Sequence, residues 1–280
     1  MKTLNDKVVA ITGAGSGIGR ATAVLMAKLG GHLAIADVNE VGLAETAKLC
    51  ADAGARVHTQ RLDVADRAAV HAWADAVAAH YGRVNVIINN AGVTVAATVE
   101  DTSYENFEWL MNINFWGVVH GSKAFLPHLK QSGDGHIVNI SSLFGLIGFA
   151  TQAAYNASKF GVRGFTEALR EEMDIEGAPV GVTSIHPGGI KTNIAVASRV
   201  ITNESYGLKD NASLARRFEE MAKTTPEDAA QAIVEAILAN KRRQLIGNDA
   251  KLLDLIQRLL PTGYQRLVVG QIRREKKRQG

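Results

Sequence analysis

The 280-residue chain contains a single cysteine, Cys50, and only five prolines. One cysteine excludes an intramolecular disulfide and a zinc site built from cysteines, and its place in a helical pattern indicates an inert core residue. The eight histidines lack metal-ligand spacings such as H-x-x-x-H, so we expect no metal site. A G-x-S-x-G elbow is also missing from the sequence, which leaves serine hydrolase chemistry without support.

Long hydrophobic runs are absent as well, and no apolar stretch of the sequence is long enough to cross a bilayer. The first residues, MKTLNDK, do not resemble a signal peptide. Hydrophobic residues make up 46% of the chain and charged residues 21%, which is typical of a globular protein and not of a disordered one. We therefore expect a soluble, cytoplasmic protein.

Neither sign of charge dominates, since 31 basic residues face 28 acidic ones for a net charge of +3. The last ten residues, QIRREKKRQG, hold five bases and one acid, a net charge of +4, so residues 1–270 sum to −1. A short basic tail on a nearly neutral body is poor evidence for a nucleic-acid partner, and no nucleic-acid partner is expected.

The basic tail has three interpretations, of which a solvated helix end is favoured. An arm at a subunit interface ranks second, and attachment to an anionic membrane beside the amphipathic Lys251–Leu260 segment ranks third.

Short runs rich in Val and Ile alternate with segments that carry apolar residues at helical spacing. The runs predict strands buried on both faces at Lys7–Thr12, His32–Ala36, Val57–Leu62, Val84–Ile88, His136–Ile140, Val180–Ile185 and Arg243–Ile246. The helical spacing predicts helices at Ile18–Leu29, Leu43–Ala53, Ala68–Tyr81, Phe107–Leu129, Tyr155–Ile175, Leu214–Lys223, Pro226–Asn240 and Lys251–Leu260. This alternation predicts a single α/β domain with a Rossmann-like, doubly wound parallel sheet and helices on both faces.

Glycine is plentiful, with 27 residues, and four of them lie in Thr12–Gly19, directly between the first predicted strand and the first predicted helix. Glycines let a backbone approach a pyrophosphate closely, while the helix start offers free N–H groups and the positive end of its dipole. The segment therefore indicates a dinucleotide site. A flexible turn without a ligand is the alternative for such a cluster taken alone.

Asp37 ends the second predicted strand, about 20 residues after the glycines, where an acid can accept hydrogen bonds from a ribose 2′-OH. Its carboxylate would repel the 2′-phosphate of NADP. No Arg or Lys lies between Gly13 and Gly19 or directly after Asp37 to offset that repulsion. NAD is therefore favoured over NADP, with Asp37 as an ordinary cap of the following helix as the alternative.

Several motifs follow one another in an order that resembles the short-chain dehydrogenase/reductase superfamily. The glycine spacing is G-x-x-x-G-x-G, and it is followed by Asn89-Asn90-Ala91-Gly92, Ser142, Tyr155-x-x-x-Lys159 and Pro187-Gly188. The resemblance runs from about Val8 to Thr192, and more loosely to about Gly247. It implies an oxidoreductase that transfers a hydride between a nicotinamide cofactor and an alcohol or ketone carbon.

Tyr155 and Lys159 are four residues apart, so they share one face of a helix. Taken alone, such a pair usually lies on the protein surface and has no catalytic role. Its place in the motif order implies a catalytic role here. The lysine ammonium and the nicotinamide ring would stabilise the phenolate and lower its pKa. Tyr155 would then act as general base on an alcohol or as general acid on a carbonyl.

Two further catalytic positions are implied by the resemblance. The family spacing selects Ser142 over Ser141 to polarise the substrate oxygen. It also selects Asn114 over Asn112 to hold a water beside the lysine and complete a proton relay. A buried Asn114 that only bridges backbone groups is the alternative.

The resemblance also implies which residues contact the cofactor. Asp63 would accept from the adenine amino group, although it could equally cap the helix that begins near Asp66. The expected contacts are Gly13, Ser16, Gly17, Ile18, Gly19, Asp37, Asp63, Val64, Asn90, Ala91, Gly92, Tyr155, Lys159, Pro187, Gly188, Ile190 and Thr192.

The segments that would surround the substrate are Val93–Val99, Leu143–Gln152 and the loop after Thr192, and they are mostly apolar. They contain no arginine pair for a carboxylate or phosphate, which favours a hydrophobic alcohol or ketone. The resemblance further implies a homodimer or homotetramer built on the long helices, including Tyr155–Ile175. An NADP-dependent carbonyl reductase and a non-catalytic NAD-binding regulatory protein are the alternatives.

The regular alternation weakens after His186, and residues 187–225 have little periodicity, which is typical of a substrate loop or lid. We expect residues 1–247 to form the dinucleotide-binding and catalytic domain, this loop included. Residues 248–280 are expected to form a C-terminal helical extension that ends in the basic tail.

Overall fold

The computed structural model describes residues 1–192, 194, 198–266, 268–270 and 273. Its strands are β1 (Val8–Thr12), β2 (His32–Asp37), β3 (Val57–Arg61), β4 (Val86–Asn89), β5 (Val95–Ala96), β6 (Gly135–Ile140), β7 (Val180–Pro187), β8 (Arg199–Val200) and β9 (Arg243–Ile246). Its α-helices are α1 (Gly17–Lys28), α2 (Glu40–Asp52), α3 (Arg67–Tyr81), α4 (Tyr104–Met111), α5 (Gly117–Gln131), α6 (Ala153–Glu176), α7 (Asn211–Met221), α8 (Pro226–Leu238) and α9 (Asn248–Leu259).

Seven strands form one parallel sheet in the order β3-β2-β1-β4-β6-β7-β9. The chain moves outward from β1 through β2 to β3 and then crosses to β4 on the other side of β1. This reversal opens a crevice at the carboxyl ends of the strands, which is where open α/β sheets bind ligands. The predicted single Rossmann-like domain is confirmed.

Two apolar layers cover the two faces of the sheet. Val9 and Ile11 of β1 pack with Met26 of α1 and Ile233 of α8 on one face. On the other face the buried cluster includes Trp73 of α3, whose ring meets Phe125 of α5 edge-on at 5.1 Å between ring centroids. Because both faces are covered, β1 is buried at every position and its sequence, VVAIT, is apolar up to Thr12.

The predicted helix Phe107–Leu129 runs longer than expected and is interrupted. It begins at Tyr104 because Ser103 caps it by accepting from the Asn106 N–H. A π-helical turn at Asn112–Trp116 joins α4 to α5. The turn places Asn114 in the interior and leaves Asn112 exposed.

A second sheet, of only two parallel strands, was missed by the sequence analysis. It pairs β5 with β8 beside the crevice. Two-residue strands are too short to show the alternation from which strands are predicted. The adjacent backbone is tied to the start of α6, because the Ala97 N–H donates to the Thr151 carbonyl at 3.0 Å.

The chain after β9 packs against the domain. In the cluster beneath α9, Ala250 and Tyr264 are buried against Leu143 and Ile147. The Tyr264 hydroxyl accepts from the Gly148 N–H at 3.0 Å, 116 residues earlier in the chain.

Residues 271, 272 and 274–280 of the predicted basic tail lie outside the described residues, as do 193 and 195–197 of the predicted substrate loop. Within the described part of the chain, no helix combines the length and apolarity that a membrane span requires.

Candidate active site

A cavity of about 1060 Å³ opens at the carboxyl ends of the strands. Every site residue predicted from the sequence lines this cavity except Gly19 and Asn114. The predicted residues in its wall are Gly13, Ser16, Gly17, Ile18, Asp37, Asp63, Val64, Asn90, Ala91, Gly92, Ser142, Tyr155, Lys159, Pro187, Gly188, Ile190 and Thr192. Positions up to 179 residues apart in sequence therefore meet in one crevice.

The glycine-rich turn brings the start of α1 to the cavity wall. Gly13 has a φ of +66°, which side chains disfavour. A Cβ on Gly19 would lie 2.1 Å from the Gly13 carbonyl oxygen, so Gly19 allows the helix to pack on the turn and does not itself face the cavity. The side chain of Ser16, the cap of α1, makes no capping hydrogen bond. The first-turn N–H groups are thus left to a ligand, as an anion site at a helix N-terminus requires.

Asp37 lies at the end of β2 and is not the cap of α2. That role belongs to Asn39, whose side chain accepts from the Gly42 N–H at 3.1 Å. The Asp37 carboxylate accepts from the Gly15 N–H at 2.8 Å and from the Asn39 N–H at 2.9 Å. A carboxylate has about four lone-pair sites, so two are left for a ligand.

Arg20, the cation nearest to the glycine turn in sequence, points away from the cavity. Its guanidinium donates to the carbonyls of Gly15 and Gly42 and to Glu45 at 2.7 Å. It is therefore occupied between α1 and α2 and does not line the cavity beside Asp37.

Asp63 does not cap α3, which was the alternative for this residue. The cap is Asp66, which accepts from the Ala69 N–H at 3.0 Å. Asp63 accepts from the Ala65 N–H at 2.9 Å and lines the cavity beside Val64.

Tyr155 and Lys159 lie on one face of α6, where Lys159 is buried and Tyr155 is half-buried in the cavity wall. The Lys159 Nζ is 5.6 Å from the centroid of the Tyr155 ring and donates to the Ile140 carbonyl at 2.9 Å. Burial lowers the pKa of Lys159 to about 8, because the desolvated ammonium is less stable than the neutral amine in this interior. Burial also raises the pKa of Tyr155, against a smaller lowering by the Ser142 hydroxyl. The protein's own groups thus raise this pKa, and its depression by Lys159 together with a bound nicotinamide ring stays a prediction.

The two candidate serines have different partners. The Ser141 hydroxyl donates to the Lys159 carbonyl at 2.8 Å and is buried. The Ser142 Oγ accepts from the Phe144 N–H at 3.1 Å, which leaves its own O–H free to donate to a ligand. Of the two, Ser142 has the hydroxyl that interacts with Tyr155.

Asn114 is fully buried beneath the cavity wall. Its amide pairs with the Val93 backbone in both directions, accepting from the N–H and donating to the carbonyl at 2.8 Å each. Its Nδ2 also lies 3.4 Å from the Ser158 Oγ. These contacts match the alternative of an Asn that bridges backbone groups. Both Asn114 and Lys159 nevertheless border Gly92, since a Cβ there would lie 3.3 Å from the Asn114 Oδ1 and 3.6 Å from the Lys159 Nζ.

Two positioning contacts around the site were not predicted. The fully buried His186 ring lies with its Nδ1 3.1 Å from the Ser142 carbonyl oxygen and its Nε2 2.9 Å from the Ser184 Oγ. Asp249, in the first turn of α9, accepts from the Gly189 N–H at 2.7 Å and so holds the loop after β7. The place of His186 directly before Pro187 had indicated a residue packed under the cofactor loop, but not these partners, and nothing local indicated the second contact, which joins residues 60 positions apart.

We expect the protein to lose stability as the pH falls below about 6.5. Burial lowers the pKa of His186 to about 4 and that of His136 to about 3, whereas an unfolded histidine titrates near 6.5. Between those values the unfolded chain binds protons that the folded one does not. Each histidine should therefore lower the free energy of unfolding by about 1.4 kcal/mol per pH unit between pH 6 and 5.

Urea unfolding at pH 7, 6 and 5 measures this dependence. The variant His136→Gln should show a shallower fall in the free energy of unfolding than the parent protein. The exposed His71 provides the matched control, and His71→Gln should keep the parent slope. Equal slopes in all three proteins would contradict the assignment of a neutral, buried His136.

Apart from the predicted site residues, the cavity wall is mainly apolar. Its polar side chains include the pair Thr94 and Gln152, in which the threonine hydroxyl donates to the Gln152 Oε1 at 3.0 Å. The apolar wall is formed by Val93, Leu143, Phe144, Ile147, Phe149, Ile194, Leu208, Leu214, Phe218, Leu253 and Val268. Among the described residues, no group of three or more His, Cys, Asp or Glu side chains is placed to hold a metal ion.

Comparison with solved structures places this fold among known enzymes. A short-chain dehydrogenase/reductase from Burkholderia phymatum, crystallised in complex with NAD, superposes with a TM-score of 0.84 at 33% sequence identity, over 92% of this chain and 95% of that one. A short-chain dehydrogenase from Mycobacterium paratuberculosis bound to NAD superposes with a TM-score of 0.74 at 26% identity, over 87% and 97%.

Comparison of sequences agrees with the structural similarity. The chain is 49% identical to the Mycobacterium tuberculosis protein named "Putative oxidoreductase SadH", over 96% of each chain. It is 32% identical to estradiol 17-beta-dehydrogenase 11 of Pongo abelii, over 94% of this chain and 82% of that one. Residues 7–200 match the family model described as short chain dehydrogenase. The chain therefore belongs to the short-chain dehydrogenase/reductase family and is an oxidoreductase of that type.

Proposed function

We propose that this oxidoreductase transfers a hydride between NAD(H) and the carbon of a secondary alcohol or ketone. The observation that carries the proposal is the meeting of Ser142, Tyr155 and Lys159 in the wall of the cavity, next to the glycine-rich start of α1. The residues fit a dinucleotide, because uncapped N–H groups suit its phosphates and the Asp37 carboxylate suits a ribose hydroxyl. NAD, when bound, would supply the carbon that accepts or donates the hydride.

In the proposed oxidation the side chains hold and move one proton. The Ser142 O–H donates to the substrate oxygen and orients it towards the Tyr155 hydroxyl. Tyr155 takes the alcohol proton as general base, and in the reverse direction it returns the proton to the carbonyl as general acid. To accept that proton Tyr155 must already be deprotonated, and the buried Lys159 ammonium would stabilise this phenolate against the desolvation that raises the pKa of Tyr155. Asn114 supports the site by holding the Val93 backbone and bordering Lys159.

NAD is proposed over NADP because of charge at the end of β2. The Asp37 carboxylate faces the cavity, while Arg20 is engaged by Glu45 and two carbonyls on the other side of the turn. A 2′-phosphate beside Asp37 would meet repulsion without a compensating cation from Arg20. An NADP-dependent carbonyl reductase is therefore the less favoured alternative.

A hydrophobic substrate is proposed from the apolar wall beyond Tyr155. Phe144 and Phe149 stack at 5.1 Å between ring centroids, and Phe144 also meets the Tyr155 ring edge-on. Burial of apolar substrate area against such a wall contributes about 25 cal/mol per Å². The Thr94–Gln152 pair would supply one polar contact within this surface.

We propose a cytoplasmic homodimer or homotetramer in which α5 and α6 pair with their copies. Trp116 in the π-helical turn before α5, and Phe160 and Ile175 on α6, are large apolar side chains exposed in the single chain. We also propose that residues 1–247 act as the cofactor-binding and catalytic domain, that 187–225 serve as its substrate loop, and that 248–280 form an extension. The extension would contribute to the site through Asp249 and Leu253, which line the cavity.

A substrate screen tests the proposed function. Purified protein is incubated with NAD or NADP and with aliphatic, aromatic and steroid alcohols, and NADH absorbance is followed. We expect turnover with NAD and at least one hydrophobic secondary alcohol, and little with sugar phosphates. Tight NADH binding without turnover of any alcohol or ketone would instead support the non-catalytic regulatory protein.

A further inference from the structure

Helix α9 presents a row of leucines to solvent. The exposed fractions are 58% for Leu252, 54% for Leu255, 70% for Leu259 and 51% for Leu260. Spacings of three and four residues place the first three leucines along one side of the helix. Adjacent exposed leucines of this kind form an apolar patch that the described residues leave uncovered, and such patches mark interaction sites. We call the surface of these four residues the leucine face.

The helix that carries the leucine face is anchored and not a loose tail. Asp254, on the opposite side, is buried and binds Arg243 and Arg258. Asp249 binds the Gly189 N–H, and Ala250 is buried against the domain. The leucines are therefore held outward by contacts on the other side of α9.

The sequence that carries and follows the leucine face is basic. Residues 248–280 contain eight basic and three acidic residues, a net charge of +5, so residues 1–247 sum to −2. Two of the three acids, Asp249 and Asp254, are engaged within the protein. Lys251 and Arg258 flank the leucines on α9, and Arg266 and Arg273 follow as exposed cations.

We propose that the leucine face docks on the surface of an anionic lipid bilayer, with α9 lying in the plane of the interface. The leucines would enter the boundary between headgroups and acyl chains, while the flanking cations reach lipid phosphates. Each cation near such a surface contributes attraction that salt screens. A second copy of this chain is a poorer occupant, since a twofold contact through this face would bring the exposed cations Lys251 and Arg258 of both copies to one interface.

The docked orientation would bring the bilayer close to the cavity. Leu253 and Asp249 of the same helix line the cavity, and Val268 lines it from the segment that follows. A lipophilic alcohol could then pass from the bilayer to the apolar wall with little exposure to water. This last step rests on the proposed function, whereas docking itself requires neither cofactor nor turnover.

Vesicle sedimentation tests the proposal on the full-length chain. The protein is mixed with vesicles of phosphatidylcholine alone or of phosphatidylcholine with phosphatidylglycerol. We expect co-sedimentation with the anionic vesicles and a decrease as salt rises. The double variant Leu255→Glu/Leu259→Glu should bind at least about tenfold more weakly, because two apolar contacts are replaced by charges that the anionic surface repels.

The matched control places the same substitutions on another exposed apolar surface. Val41 and Leu49 of α2 are 72% and 45% exposed, and Val41→Glu/Leu49→Glu should bind vesicles like the parent protein. Thermal unfolding of both double variants checks that they fold. Sedimentation velocity measures their assembly.

Three results would overturn the proposal. The parent protein could fail to bind anionic vesicles, it could bind neutral vesicles equally well, or both double variants could lose binding equally. If the parent protein does not bind vesicles, and the Leu255→Glu/Leu259→Glu variant forms smaller species than the parent, the leucine face is a contact between copies. None of these results depends on turnover, so failure of docking and failure of the proposed reaction are distinguishable.

Discussion

Replacing Tyr155 by Phe is expected to lower kcat/KM for alcohol oxidation by about 10³-fold, the usual contribution of a general acid–base group. The substitution removes only the hydroxyl. The ring would keep its edge-on contact with Phe144, at 6.3 Å between centroids, and its position 5.6 Å from the Lys159 Nζ. The loss would therefore measure proton transfer and not packing.

Cofactor binding separates this effect from misfolding. NADH fluorescence titration should give Tyr155→Phe nearly the parent affinity. Tyr206 also lines the cavity, so Tyr206→Phe is the matched control and should retain turnover within a few-fold. Full activity of Tyr155→Phe would refute the assignment of the proton-transfer group, even if the protein proved to be an NAD-dependent enzyme.

The second large effect is expected at Asp37, where removal of charge should change the choice of cofactor. Asp37→Ala would leave the Gly15 and Asn39 N–H groups without their acceptor and would disturb the glycine turn. Asp37→Asn keeps the shape and one acceptor oxygen, so only one of these two N–H groups loses its acceptor. Two unit charges 4 Å apart near a protein surface repel by about 4 kcal/mol. Solvation in the open cavity reduces this repulsion. In Asp37→Asn the ratio of kcat/KM for NADP to that for NAD should therefore rise by about 100-fold.

Steady-state kinetics with both cofactors measures this ratio. Asp63→Asn provides the control, because Asp63 is a cavity carboxylate in a different loop, and its removal should leave the ratio nearly unchanged. Parent protein that already prefers NADP would contradict the role given to Asp37. An unchanged ratio in Asp37→Asn would contradict it as well.

Much of the sheet could be predicted because parallel strands are buried on both faces. Burial requires unbroken runs such as VVAIT in β1, and these runs are visible without any tertiary information. The glycine turn is equally local, since a tight turn before a helix needs glycine whatever the rest of the chain does. Most of the boundary errors were small and came from caps, as where Asn39 starts α2 three residues before the predicted Leu43.

The catalytic geometry was predictable only in part. The four-residue spacing of Tyr155 and Lys159 places both on one face of a helix, and this holds in any setting. Their pKa values depend on burial, which spacing does not reveal, and desolvation raises the pKa of Tyr155. The π-helical turn that carries Asn114 inward also had no signal in the helical pattern.

Composition and local pattern by themselves determined the α/β class, the glycine turn and the order of the site motifs, because these depend on residues close together in the chain. Only the tertiary structure decided which other side chains lie in the cavity wall beside the site motifs. The contact of Asp249 with Gly189 and that of Tyr264 with Gly148 span 60 and 116 residues. Such contacts arise from how α9 packs on the finished sheet, and the same packing leaves the leucines of α9 outside.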